Sequence, residues 1–171
     1  ELTILSEKLG FDSVWIFDHL NMAGTFDFGE FTEPNLECWT TLTALAMVTE
    51  NLRLGTLVMG NPYRMPSVLA KMASTLDIIS GGRLDYGIGV GWHEPEFIQY
   101  GIPFRTFKER FEMFEEGVEI AKRLWTQKES SFSGKHYQLE KAMLEPKPIQ
   151  KPYPPIWVGG MGKRFTLRFI A

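Results

Sequence analysis

The sequence is poor in cysteine and has no long hydrophobic run. Cys38 is the single cysteine among 171 residues, which excludes an internal disulfide framework and argues against a cysteine-based metal site. A lone thiol fits a reducing compartment, so we expect a cytoplasmic protein. No apolar stretch approaches the roughly 18 residues that a membrane-spanning helix needs, and no secretory signal opens the chain. We therefore expect no membrane contact.

An excess of either charge sign is also missing. Lys and Arg together number 18, Asp and Glu together number 21, and the net charge is -3. That balance gives no reason to expect a nucleic acid or an anionic lipid surface as a partner. Hydrophobic residues make up 44% of the chain and charged residues 23%, as is ordinary for a globular domain.

Start and stop signals are missing at both ends of the chain. There is no initiator Met, and Leu2, Leu5 and Leu9 already follow helical spacing before Gly10 ends the pattern. The last residues, TLRFIA, again show a helical pattern without a cap or a stop signal. We expect a fragment that is cut at both ends.

What is present is an alternation of apolar, β-forming segments with helical segments. The predicted strands are residues 13–17, 52–59, 84–91 and 156–158, and the predicted helices are residues 2–9, 37–50, 67–79, 95–100 and 106–126, with one more from about residue 163. This alternation predicts an α/β fold with a parallel sheet and helical crossovers. Two architectures fit, an open doubly wound sheet and a slice of a (β/α)8 barrel. The first strand has no polar alternation, so we expect it to be buried on both faces.

One segment interrupts the alternation before the last strand. SSFSGKHYQLE (130–140) predicts a small hairpin that turns at Gly134, and the five prolines between residues 146 and 155 predict a stiff, extended connection. We interpret residues 127–155 as an insertion and not as a domain linker, because a strand follows at once. The whole chain, residues 1–171, is then one partial domain.

Each predicted strand ends in residues that are unusual for a plain turn. These strand ends are Asp18-His19, Met59-Gly60-Asn61-Pro62, Gly91-Trp92-His93-Glu94 and Gly159-Gly160-Met161-Gly162. In both architectures ligands bind at the carboxyl ends of the strands. The sequence therefore predicts one site, in which Asp18 and His19 are the titratable pair available for proton chemistry.

Plainer interpretations of these features stay open. Asp18 and His19 could merely cap the loop that follows them, and the glycines at 159–162 could form an ordinary turn. Alternatively these glycines form a phosphate site, because bare N–H groups precede a helix and Lys163 adds positive charge.

Two common kinds of site are not expected. Neither GIGVG (87–91) nor the glycines at 159–162 match a dinucleotide or Walker fingerprint. A nicotinamide-binding doubly wound domain is therefore a weak alternative. His93 and His136 have no partners at metal-ligand spacing, so we expect no metal.

Several segments together resemble a known family. SGGRLDYGIGVGWHEPEF, then YGIPF, a helix that ends in RLW, and PKPIQKPYPPIWVGG resemble the luciferase-like monooxygenases, and within them the branch that uses the deazaflavin coenzyme F-420. The resemblance runs from Leu2 to Ala171. It implies a TIM (β/α)8 barrel with insertions, often dimeric, of which this chain would lack the first strand and the C-terminal strands.

The resemblance also implies roles for individual residues. Asp18 and His19 match a pair beside the reactive edge of the cofactor ring, with His19 as a candidate acid or base. Leu57, Val58 and Met59 match a strand end that carries a non-proline cis peptide, which we place at Leu57-Val58. The other expected cofactor contacts are Val90, Gly91 and Trp92, and a phosphate loop formed by Gly159, Gly160, Met161 and Gly162 with Lys163.

The implied function is hydride transfer between F-420 and an organic substrate that enters under the loop at 18–36. Trp92 stands where a deazaflavin sugar-phosphate dehydrogenase carries a catalytic Glu, and an indole cannot transfer a proton, which argues against that particular activity. One alternative is an FMN-dependent monooxygenase, which needs a flavin reductase as its partner. The other, from a different class, is a barrel that binds the cofactor without catalysis.

Overall fold

The computed structural model describes residues 1–21, 34–160, 162 and 166–170. Helices and strands alternate along them, as the sequence predicts. The elements are α1 (Leu2–Lys8), β1 (Ser13–Ile16), α2 (Cys38–Val48), β2 (Arg53–Thr56), β3 (Met59–Gly60), α3 (Pro66–Ile79), β4 (Leu84–Gly89), α4 (Glu94–Gln99), α5 (Phe107–Thr126), β5 (Ser130–Ser133), β6 (Gln138–Ala142), β7 (Ile156–Val158) and α6 (Thr166–Ile170). Across these described ranges, no helix combines the length and the apolar character that crossing a membrane requires.

The main sheet is parallel, and its strands lie in chain order. β1 pairs with β2, β2 pairs with β4, and both β3 and β7 pair with β4. Strand β3 continues β2 after a short interruption, so the two count as one strand position. The spatial order is then β1, β2 with β3, β4 and β7, which is also the order along the chain. A doubly wound sheet reverses its order at a switch point, whereas a barrel keeps it. Of the two architectures that the sequence left open, the strand order favours the barrel.

The second strand is interrupted at Leu57-Val58, and the peptide bond between these two residues is cis. The expectation of one continuous strand over 52–59 is therefore wrong, since the segment divides into Arg53–Thr56 and Met59–Gly60. The position of the cis bond, which the family resemblance implied, is confirmed.

Strand register shows what happens at this interruption. Gly55 pairs with Asp85, and Met59 pairs with Ile88, so the segment that contains Leu57 has one residue more than its partner strand. An additional residue in one strand breaks the ladder locally and redirects side chains, as a β-bulge does. Leu57 is accordingly 62% exposed, at the edge of the sheet where the strands end.

The hydrophobic core lies between the sheet and helices α2, α3 and α5. Large side chains that are buried there include Leu42, Leu54, Leu69, Leu84, Ile88, Phe114 and Trp125. The apolar face predicted for α5 is buried from Phe111 to Trp125, and the Trp125 indole donates a hydrogen bond to the carbonyl of Ala70. Helix α5 begins with a capping box between Thr106 and Glu109.

The prediction that the first strand is buried on both faces is wrong. All four residues of β1 are only partly buried. Side chains alternate between the faces of a strand, and Val14 and Ile16 pack against the core. Trp15 instead lines a cavity of about 520 Å³. Its ring centroid lies 5.3 Å from that of Trp157, which lines the same cavity. Among the residues that the structure describes, helices therefore cover β1 on one side only.

The insertion forms the predicted hairpin and is fixed to the body of the domain. Strands β5 and β6 pair antiparallel on either side of Gly134. The Glu116 carboxylate on α5 accepts hydrogen bonds from the backbone N–H groups of Lys135, His136 and Tyr137. These bonds satisfy the turn of the hairpin and hold it against α5.

Candidate functional site

The carboxyl ends of the four strand positions meet around one cavity of about 380 Å³. Ten residues that the sequence nominated line it, namely Asp18, His19, Leu57, Val58, Met59, Val90, Gly91, Trp92, Gly159 and Gly160. Gly60, Tyr63 and Gly89 complete the lining. The volume lies in the range of sites for small molecules.

Backbone and small apolar groups form one wall of the cavity. A Cβ atom at Gly159 would lie 2.4 Å from Cγ2 of Val58, and one at Gly89 would lie 3.0 Å from the same atom. The absence of side chains at these glycines lets the ends of β4 and β7 approach Val58, which follows the cis bond. Val58 therefore packs directly on the backbone of these two glycines, and neither glycine adds a side chain to this wall.

Aromatic side chains surround His19. The Trp92 ring centroid lies 5.7 Å from that of His19, edge-on, and the Phe17 ring lies at 6.0 Å. Trp92 is 52% exposed. It follows Gly91, whose φ of +73° turns the chain into a conformation that favours glycine.

Asp18 is buried in an ion pair. The residue is 2% exposed. Its carboxylate accepts hydrogen bonds from both terminal nitrogens of Arg64, at 2.7 and 2.9 Å. Arg64 also binds Glu37 at 2.6 Å, and Glu37 caps the N-terminus of α2. Burial raises the pKa of the Asp18 carboxyl, and the guanidinium of Arg64 opposes that effect. Asp18 thus connects the end of β1 to two neighbouring segments.

His19 has a different partner. Its Nδ1 atom lies 2.9 Å from Oε2 of Glu96, which is on α4. The imidazole lines the cavity. The two titratable residues that follow β1 therefore have separate partners, with Asp18 bound to Arg64 and His19 bound to Glu96.

Glu96 is completely buried and takes part in four hydrogen bonds. It accepts from the Tyr63 hydroxyl and from the backbone N–H groups of Leu20 and Asn21, the last at 2.9 Å, and its fourth partner is the His19 ring. Burial raises the pKa of the Glu96 carboxyl, but the hydrogen bonds from His19, Tyr63 and Asn21 outweigh it and hold the pKa below its ordinary value. The site therefore contains a buried carboxylate directly behind the imidazole.

Comparison with known proteins identifies the family. A family model described as luciferase-like monooxygenase matches residues 1–171. The chain belongs to the luciferase-like monooxygenase family. The expectation of a barrel of the luciferase-like type is thereby confirmed.

Individual relatives of this luciferase-like chain carry different activities in their names. It is 32% identical over 154 residues to the pyrimidine monooxygenase RutA of Variovorax paradoxus (strain S110), an alignment that covers 86% of the chain and 40% of that protein. It matches the structure of an F-420-dependent secondary alcohol dehydrogenase in complex with an F-420–acetone adduct with a TM-score of 0.81 and 27% identity, over 95% of the chain and 47% of the dehydrogenase.

A third comparison concerns the fold alone. The oxygenating constituent of 3,6-diketocamphane monooxygenase from Pseudomonas putida, in complex with FMN, matches with a TM-score of 0.78 and 23% identity, over 98% of the chain and 47% of that structure. The chain spans less than half the length of these three proteins.

The sequence did not point to Tyr63, Arg64 or Glu96. Glu96 lies in EPEF, two residues beyond Glu94, the last residue of the predicted third strand end. Tyr63 and Arg64 lie in the loop after the second strand end. Their position on the expected rim was the available signal, but pairing across 77 residues is a property of the folded chain.

Part of the predicted phosphate loop stays untested. Gly159 and Gly160 line the cavity, whereas Gly162 is exposed and is not among the lining residues. Met161 and Lys163 lie outside the described residues, as does the loop at 22–33. Within the ranges that the structure describes, no three His, Cys, Asp or Glu side chains form a group that could hold a metal ion.

The cavity fits a flavin-type ring. Gly89, Gly159 and Gly160 line it without side chains, the Val58 side chain packs directly on the backbone of Gly89 and Gly159, and Leu57 and Val58 supply apolar surface. His19 supplies a hydrogen-bonding group at the same cavity. Apolar walls with a few placed polar groups are typical of cofactor sites.

Proposed function

We propose that the full-length protein is an oxidoreductase that transfers a hydride between coenzyme F-420 and a small organic substrate. The observation that carries the proposal is the cavity itself, in which the cis Leu57-Val58 unit, bare glycine backbone and His19 meet. The 27% identity to an F-420-dependent secondary alcohol dehydrogenase supports the choice of F-420.

The residues of this chain would divide the work. Val58, Met59 and Gly159 would hold the ring by apolar and backbone contact, and Val90 and Gly91 would support it from the end of β4. A deazaflavin supplies the carbon that accepts or gives the hydride.

His19 is the group placed to move the accompanying proton, because its imidazole lines the cavity and an imidazole can both accept and donate a proton. Asp18 is less available to transfer a proton, because both of its carboxylate oxygens bind Arg64. We therefore assign proton transfer to His19 and a supporting role to Asp18.

Substrate chemistry is constrained by the same cavity. Trp92 borders His19 and offers an indole in place of a carboxylate, and none of the thirteen residues that line the described cavity is Lys or Arg. Such a lining favours an uncharged organic substrate over a sugar phosphate.

A second candidate is an FMN-dependent monooxygenase. The 32% identity to a pyrimidine monooxygenase of Variovorax paradoxus favours it. The wall around Val58 suits either ring, because it recognises a flat shape by apolar contact. This activity consumes molecular oxygen and needs a reductase partner that delivers reduced flavin.

Separate titrations of the full-length protein with F-420 and with FMN, followed by cofactor fluorescence, test the choice. The proposal expects saturable quenching with F-420 and hydride transfer to or from at least one uncharged alcohol or carbonyl compound. Binding of FMN alone would favour the monooxygenase. Binding of F-420 without turnover of a broad substrate panel would favour a non-catalytic barrel.

A further inference from the structure

The hydrogen bonds around Glu96 have a consequence for the chemistry of His19. Oxygen Oε2 of Glu96 faces the Nδ1 atom of His19 at 2.9 Å and also accepts the Tyr63 hydroxyl. Oxygen Oε1 accepts the backbone N–H groups of Leu20 and Asn21. An ionised carboxylate has about four acceptor positions and no donor, so all of its capacity is used.

Glu96 is therefore ionised when the protein is folded. A proton on Oε1 would compete with two backbone N–H donors, and a proton on Oε2 would compete with the Tyr63 hydroxyl. The lowered pKa of Glu96 agrees with this geometry, and the raised pKa of Tyr63 keeps its hydroxyl protonated as a donor. A carboxylate can only accept, so the hydrogen between Glu96 and His19 belongs to Nδ1 of the imidazole.

We propose that Glu96 is a positioning residue that fixes neutral His19 in the Nδ1–H tautomer and thereby leaves the lone pair of Nε2 for the cavity. Within the described part of the chain, Nε2 of His19 has no hydrogen-bond partner, while the ring borders the cavity. Fixing the tautomer through the other ring nitrogen is a general way to aim a histidine.

The same carboxylate also fixes the backbone that carries the ring. By binding the N–H groups of Leu20 and Asn21, Glu96 anchors the chain immediately after His19. The Trp92 ring packs against the imidazole nearly at a right angle, with 5.7 Å between the ring centroids. The catalytic consequence rests on the proposed function: Nε2 accepts the substrate proton, and the imidazolium that forms is held by Glu96.

Nitrogen-15 NMR of the full-length protein, without cofactor or substrate, tests the tautomer directly. This chain has three histidines, and replacing each with Gln in turn assigns the signals that arise from them. An internal reference exists, because His136 faces Glu112 through Nε2 at 3.0 Å and should adopt the opposite, Nε2–H tautomer. We expect neutral His19 to carry its hydrogen on Nδ1. A hydrogen on Nε2 in the wild-type protein would overturn the proposal.

Three variants separate the positioning of His19 by Glu96 from a general loss of structure. Glu96→Gln replaces an obligate acceptor with an amide that can donate to Nδ1, so a population of the Nε2–H tautomer should appear and turnover should fall about 100-fold. Glu94→Gln, the same change at an exposed position of α4, should alter neither the tautomer of His19 nor turnover. Tyr63→Phe removes one donor to Glu96 but should keep the Nδ1–H tautomer.

The outcomes are distinguishable from failure of the proposed function. An unchanged tautomer and unchanged turnover in a folded Glu96→Gln protein would refute the positioning role. If that variant does not fold, the wild-type spectrum still decides the tautomer. An Nδ1–H tautomer in a protein that transfers no hydride would refute the proposed function and leave the assignment of the tautomer intact.

Discussion

The Nδ1 atom of His19 lies 2.9 Å from the carboxylate of Glu96, although 77 residues separate them along the chain. Asp18, the preceding residue, makes its own pair with Arg64. The end of β1 is thus attached to the loop after β3 through Asp18 and to the helix after β4 through His19. These two connections bring three strand ends to one cavity, and each can be tested separately.

Replacing His19 with Ala should reduce turnover by about 100- to 10,000-fold, because proton transfer by a positioned side chain contributes that much in general. Cofactor affinity should change little, since the wall around Val58 is untouched. Steady-state kinetics and cofactor titration of the full-length variant measure the two effects. His136→Ala is the matched control, because His136 also binds a glutamate but lies in the hairpin. Equal losses in both variants would remove His19 from the mechanism.

Replacing Arg64 with Met should destabilise the protein by about 3–5 kcal/mol, because it leaves the Asp18 carboxylate buried without its partner. The double variant Asp18→Asn with Arg64→Met should recover part of the loss, which a double-mutant cycle from urea unfolding measures.

Arg123→Met is the control for this cycle. It breaks an exposed i,i+4 pair with Glu119 together with a hydrogen bond to Ser131 and a contact over the Phe132 ring, and should cost only about 1 kcal/mol. Similar losses of unfolding free energy for Arg64→Met and Arg123→Met would show that the buried pair of Asp18 with Arg64 stabilises the fold no more than an exposed pair does.

Much of this arrangement was accessible from the sequence, and the reasons differ between features. The parallel sheet follows from strands that alternate with helices, and the shared cavity at the strand ends follows from the rule that strand ends gather at one face. The cis bond at Leu57-Val58 came from the family resemblance, because nothing in the composition of that segment specifies it.

Other features depend on tertiary contacts that local patterns do not encode. The apolar run from Ser13 to Phe17 predicted burial on both faces, but the number of layers that cover β1 is decided by the rest of the molecule. Asp18 and His19 were treated as a pair because they are adjacent. In the folded chain they have separate partners, Arg64 and Glu96, which lie far away in the sequence.

Replacing Gly159 with Ala should weaken cofactor binding about tenfold or more. The new Cβ would lie 2.4 Å from Cγ2 of Val58, so the wall of the cavity must shift, and overpacking of this kind costs about 1–3 kcal/mol. Adding Val58→Ala, which removes the colliding methyl groups, should restore part of the affinity. Fluorescence titration of both variants measures this, and an unaffected single variant would show that Gly159 is remote from the cofactor.

The acid dependence of stability should report the Glu96 network. The pKa of Glu96 is held below its ordinary value of 4.5 in the folded protein. A carboxyl with a lowered pKa contributes stability that is complete above its unfolded pKa and is lost as the pH falls through its folded pKa. Glu96→Gln should therefore lower the free energy of unfolding at neutral pH. On acidification, the free energy of unfolding of this variant should fall less than that of the wild type.

Urea unfolding of both proteins from neutral pH to below pH 4.5 measures that difference. Glu94→Gln again supplies the matched control. Parallel pH profiles for the wild type and Glu96→Gln would contradict the assignment of a lowered pKa to this carboxyl.

The central claim is that the cavity at the strand ends holds the flavin-type cofactor, and a crystal structure of the full-length protein with F-420 tests it most directly. We expect the ring to contact Val58 and Gly159, with His19 beside it. An F-420 molecule bound away from these residues, in crystals where the cavity is accessible, would contradict the account.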